Sequence, residues 1–179
     1  MAWTSPMTAV AGSIFTAAQF NLNVRDNLNE TAPAKATAAS QFFVATGANA
    51  IAARSLLSST VLTSETTASG TYTNLATVGP VVTVSTGPTV MVMFAADIDN
   101  TLVNGASSAS VAVSGASTVA ASNNWRICRD GLAAGNKIRF GATHLFTGLS
   151  PGSNTFTMQY LVGSGTGTFD AREMIVLPC

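Results

Sequence analysis

Charge is scarce in this chain. Eight Lys/Arg and eight Asp/Glu in 179 residues leave a net charge of zero and a charged fraction of 9%, against roughly 25% in an average soluble domain. Eight cations spread over the whole length cannot build the basic face that releases phosphate counterions, which argues against nucleic acid as a partner. Long apolar runs are missing as well. The longest strongly apolar stretch, Val90 to Ala96, falls far short of the roughly 20 residues of a spanning helix, so the mean hydropathy of +0.36 reflects abundant Ala and Val and no membrane partner is expected. The opening MAWTSPMTAVAGS lacks a basic segment followed by an apolar one, and the expectation is synthesis and first folding in a reducing cytoplasm. The two cysteines, Cys128 and Cys179, sit in no CxxC and beside no histidine, which predicts free thiols.

Histidine is rarer still. His144 stands alone in ATHLFTG, with no second His or nearby Cys to make a metal pair and no motif supplying a nucleophile for it to activate. It reads as a strand or interface histidine. Gly163-Ser164-Gly165-Thr166-Gly167 lacks the Lys and the strand-to-helix setting of a phosphate loop and reads as a hairpin turn. Asp97-Ile98-Asp99-Asn100 could open a calcium loop, but Leu102 and Ser108 stand where its Gly and final Glu belong. Asp26, Glu30, Glu65, Asp130, Asp170 and Glu173 form no dyad in sequence; glycosidase chemistry would need one assembled in space. No catalytic residue, metal or cofactor is expected. Trp3 and Trp125 are assigned to packing ahead of sugar stacking.

What is present is organised in three parts. Residues 1–31 carry Thr16-Ala17-Ala18-Gln19, a capping box, with Phe15 and Phe20 at the flanking positions of a hydrophobic staple. The helix this starts, about residues 16–31, carries Phe20, Val24 and Leu28 as one apolar stripe until Pro33 stops it. About 15 residues are marginal as a lone helix, so Trp3, Phe15, Phe20, Val24 and Leu28 are the candidate surface for docking or subunit packing. Residues 32–59 read as a small-residue linker, APAKATAAS, followed by a hairpin over residues 41–54 turning at Gly47-Ala48-Asn49.

From residue 60 to 179 short strands alternate with turns. Phe156, Met158, Tyr160 and Val162 alternate with polar residues, as do Val111 and Val113, the period-two mark of a strand with one buried face. Val90-Met91-Val92-Met93-Phe94 is apolar at every position, which predicts a strand covered on both faces, with Met91, Met93 and Phe94 in core or subunit packing. About eight strands at this spacing predict a mainly β chain: a short N-terminal helix and hairpin, then an antiparallel β-sandwich of jelly-roll or immunoglobulin-like type.

Three segments also carry a resemblance. WTSPMTAVAGSIFTAAQFNLNVRDNLNE is similar to the N-terminal segment of small virion structural proteins of actinobacterial tailed phages and prophages. VATGANAIAAR resembles a hairpin of phage-fibre stalks, and YTNLATVGPVVTVSTG with GLSPGSNTFTMQYLVGSGTGTFDAREMIVLP resembles the C-terminal β domain of the same proteins. The resemblance implies a non-enzymatic virion component and a homotrimer, docked on other virion proteins by its N-terminal segment. Its β-sandwich would project toward a host surface glycan or protein, as in a tail fibre, minor tail or tail-tip protein. A capsid decoration or head-fibre protein is the alternative reading, and a glycan-degrading enzyme the competing one from another class.

Overall fold

A computed structural model describes residues 3–179. The chain divides into two compact units, residues 1–55 together with Cys179, and Leu56–Pro178.

In the first unit, the capping box forms as the sequence dictates. The Thr16 hydroxyl accepts from the Gln19 amide at 3.2 Å, and the Gln19 side chain accepts from the Thr16 amide at 2.9 Å. Phe15 and Phe20 meet edge to face with ring centres 6.2 Å apart, closing the staple. The helix runs as α1 (Ala17–Phe20), a π-helical stretch over Asn21–Arg25, and α2 (Asp26–Leu28). Pro33 does not simply end it. It sits in the first turn of a further short helix, α3 (Ala32–Lys35), where its missing N–H costs nothing, so part of the expected linker is helical. The hairpin β1 (Phe42–Gly47) and β2 (Ala50–Arg54) pairs antiparallel, with Asn49 in the left-handed region its turn requires.

The second unit is a sandwich of β3 (Leu57–Val61), β4 (Glu65–Thr67), β5 (Val81–Thr86), β6 (Thr89–Asn100), β7 (Ser107–Gly115), β8 (Ile127–Arg129), β9 (Ile138–Thr147), β10 (Gly152–Val162) and β11 (Gly167–Pro178). One sheet has the order β5-β10-β7-β8. The other runs β3-β11-β6-β9, with β4 continuing beside β11. The adjacent pairs β4·β11, β5·β10, β6·β9 and β7·β8 nest like a long hairpin folded back on itself and rolled. From β4 onward every connection except β7 to β8 crosses between the sheets. This is a jelly roll, with its first strand split into β3 and β4, which decides between the two expected sandwich types. The glycine-rich segment 163–167 therefore crosses between sheets and is not a hairpin turn. Gly165 is needed there: it has φ of 75°, and a Cβ would lie 2.7 Å from the Asn100 side-chain oxygen.

The core forms from alternate residues, as period two requires. Val90, Val92, Phe94, Ala96 and Ile98 of β6 point inward against Val111 and Val113, Phe156, Met158 and Tyr160, and Phe169, Met174 and Val176. Phe94 is thus a core residue. Met91 and Met93 alternate out of the core and lie half-buried on the outer sheet face, where no further layer of the jelly roll covers β6.

Candidate functional site

Within residues 3–55 no apolar side chain is buried; the buried residues are Asn27 and Glu30. Ile14 is 85% exposed and Leu28 60%, and Phe15, Phe20 and Leu22 are exposed too. Of the candidate docking residues, Trp3, Phe15, Phe20 and Leu28 are exposed and Val24 is half-buried. The capping box and staple bring Phe15 and Phe20 together. Trp3 is placed apart from them, its amide donating to the Asn49 carbonyl at the hairpin turn.

What holds this unit is polar. Asn27 clamps the backbone of Thr4: its side-chain Oδ1 accepts from the Thr4 amide at 2.9 Å, and its side-chain Nδ2 donates to the Thr4 carbonyl at 3.0 Å and to the Asn23 carbonyl at 3.1 Å. Glu30 pairs with Lys35 at 2.9 Å, and that hydrogen bond holds its carboxyl below the ordinary value. An asparagine on a helix reads in sequence as a solvated residue, so nothing in the composition singled out Asn27.

The jelly roll presents two unlike outer faces. On the β3-β11-β6-β9 face, the register sets Leu177, Met91 and Leu145 in one row and Ile175, Met93 and Thr143 in the next. Ala95 and Gly141 follow, flooring an open depression of about 370 Å³ walled by Met93, Ile175, Thr143 and Glu173. Beyond it lie the charges. Arg139 bridges Asp97 and Glu173, and Lys137 pairs with Asp170 at 3.0 Å. Asp97 and Asp99 are thus strand residues, and Asp97 is held by an arginine. The Lys137 ammonium keeps the Asp170 carboxyl low. On the β5-β10-β7-β8 face, Thr83, Ser85, Ser153, Thr155 and Thr157 give an uncharged hydroxyl surface, with Thr83 and Thr155 hydrogen-bonded at 2.8 Å.

Two buried arginines were not legible from sequence. One extra residue in β11, a bulge between Asp170 and Glu173 with Ala171 at φ of 42°, turns Arg172 into the interior. Its guanidinium donates to the Thr63 carbonyl at 3.0 Å and to Glu65 at 3.2 Å, and lies 5.5 Å from the centre of the Tyr160 ring. The Tyr160 hydroxyl donates to the Gly79 carbonyl at 2.7 Å. The hydroxyl of Thr77, and then Arg172, keep the Glu65 carboxyl below its ordinary value. Arg129 lies fully buried near the opposite loops, donating to the carbonyls of Gly105 at 2.8 Å and of Ala133. Both arginines tie loop carbonyls to the sheets.

His144 points toward the core side of β9. Its ring stacks on Trp125 with centres 4.8 Å apart and meets Phe146 edge to face, and desolvation lowers its pKa. Trp125 donates its indole N–H to the Val111 carbonyl at 3.0 Å, so both side chains pack rather than present themselves to a ligand. Cys128 and Cys179 are not joined in a disulfide. Among the described residues no group of three or more His, Cys, Asp or Glu could hold a metal ion, and no helix is long and apolar enough to cross a membrane.

No protein-family model and no curated protein matches the chain. Among solved structures it is similar to a chain in the structure of the infectious bursal disease virus Gx strain, with a TM-score of 0.46 and 10% identity over 75% of this chain and 36% of that one. The chain spans about a third of that neighbour's length, and the likeness carries no functional argument.

Proposed function

We propose that this protein is a non-enzymatic structural component of a tailed-bacteriophage virion, of the tail-fibre or tail-tip type, assembled as a homotrimer. Residues 1–55 dock on neighbouring virion proteins, and the jelly roll projects to contact a host surface glycan or protein. The observation that carries this reading is the contrast between the units. The jelly roll encloses its own core, whereas the N-terminal unit buries no apolar side chain and leaves Phe15, Phe20 and Leu28 in solvent. An ordered segment with that exposure gains its apolar burial from another chain. The resemblance of residues 3–30 to N-terminal segments of actinobacterial phage virion proteins supports the same assignment.

A second reading is a capsid decoration or head-fibre protein, whose N-terminal arm would bind the capsid lattice through the same exposed Phe15, Phe20 and Leu28. Immunogold labelling of intact virions with antibody raised against residues 56–179 separates the two. Gold at the tail tip is the expected result. Gold over the head replaces it with the decoration reading, and unlabelled particles overturn both. Deletion of residues 1–31 is expected to leave a folded β domain that no longer enters particles.

A further inference from the structure

The jelly roll has four sheet edges, and three of them are blunted. β8 is three residues long, β3 and β4 are separated by residues 62–64, and β5 spans six residues between Pro80 and Pro88. β9 is unlike these. It runs ten residues, pairs with β6 in unbroken register from Ile138 to Thr147, and stands at the end of its sheet. Among the described residues no backbone hydrogen bond reaches its outer edge. From Phe140 to Thr147 it carries no charged residue and no proline, the devices by which natural edges resist pairing. Trp125 covers the side chain of His144 but leaves the backbone of β9 unbonded.

We propose that β9 pairs antiparallel with β9 of a second copy, joining two sheets into one across a two-fold axis. The sequence of the edge is suited to itself. A register centred on Thr143 sets Thr143 opposite Thr143, Gly141 opposite Leu145, and Phe140 opposite Phe146. Threonine cross-strand pairs are favourable, and the Leu145 side chain lies over a residue that has none, while Phe146 keeps its place in its own core. Arg139 falls opposite Thr147 and Lys137 beyond the paired segment, whereas a register centred near the strand's start would set Arg139 against itself. Leu145, 49% exposed, ends the outer row that begins with Leu177 and Met91, so pairing prolongs that apolar surface across the axis. With zero net charge, two copies meet no long-range repulsion. Two jelly rolls paired in this way use both of their β9 edges, so the pair itself presents no further β9 edge.

The pairing is independent of what residues 1–55 dock on. Its test is the mass of the full-length protein in solution beside that of the double variant Thr143→Lys, Leu145→Lys, by light scattering. Both side chains are exposed, so the variant is expected to melt as the parent does while having half its mass. A trimer built through the N-terminal unit alone would give equal masses and overturn the pairing. Hydrogen exchange of the parent supplies a reading that needs no variant. Every amide from residue 140 to 147 is expected to be protected, and fast exchange at alternate positions, as on an open edge, would also overturn it.

Discussion

Residues 3–55 and the jelly roll are built on opposite economies. The jelly roll puts large apolar side chains inside and holds its loops with two buried arginines, so its order is internal. The N-terminal unit buries an asparagine and a glutamate and leaves its phenylalanines outside. Burial of one Phe or Leu side chain contributes about 1.5–3 kcal/mol, and the N-terminal unit forgoes that contribution in the isolated chain. Order thus does not require an apolar core: a capping box, a staple and an asparagine clamp fix the shape of the N-terminal unit with none.

The sharpest way to break this contrast is the same substitution in each unit. Phe94→Ala, in the core of β6, is expected to lower unfolding free energy by about 3–5 kcal/mol. Phe20→Ala should stay within about 0.5 kcal/mol in the isolated chain and yet abolish entry into particles. Denaturant titration of both proteins decides it, and comparable losses would show that the N-terminal unit has an apolar core after all. Arg172→Ala comes next. Arg172 is fully buried, and its loss takes the donor from the Thr63 carbonyl and the cation from Glu65, while Thr77 still donates to Glu65 and Tyr160 to the Gly79 carbonyl; breaking such a pair costs about 3 kcal/mol or more. An unchanged melting temperature would mean that the loops hold without it. Asn27→Ala is smaller, about 1–2 kcal/mol from a buried hydrogen-bonded group, and local. The Thr4 amide should exchange faster while the amides of β6 keep their protection.

The strands of the jelly roll were legible where alternation marks one face: Phe156 to Val162 shows which residues point inward, whereas Val90 to Phe94, apolar at every position, did not separate Phe94 in the core from Met91 and Met93 outside it. The capping box was legible because its partners are three residues apart. Strand order was not, since adjacency of β6 with both β9 and β11 depends on which connections cross between sheets, and no local pattern records that. Arg172 was hidden for a related reason. Its inward direction follows from one extra residue in β11, and counting by twos through a bulge assigns the wrong face. The exposure of Phe20 and Leu28 was legible as a stripe with no partner in sequence, but Asn27 was not, because its partner Thr4 lies 23 residues away.

The smallest expected effect is the pH dependence of unfolding, and it tests which unit the measured stability belongs to. Glu65 has its carboxyl lowered from 4.5 by the Thr77 hydroxyl and, after it, by Arg172. A group depressed in the folded state binds protons more readily in the unfolded chain, so its contribution is complete above about 4.5 and disappears as pH falls through the folded value. His144 is lowered from 6.5 by desolvation, so it too favours the folded state fully above 6.5 and less as the pH drops. Acidification should therefore weaken the jelly roll in two stages, one beginning near 6.5 and one below 4.5. Glu65→Gln should diminish the second stage, to which Asp170, held low by Lys137, also contributes, and His144→Phe should remove the first. Glu30 is also lowered, by Lys35, but it lies in the unit without an apolar core. Glu30→Gln is expected to leave the global unfolding curve where it was at every pH, because no cooperative core there reports its charge. A shift as large as that of Glu65→Gln would mean that the N-terminal unit unfolds together with the jelly roll and shares its stability.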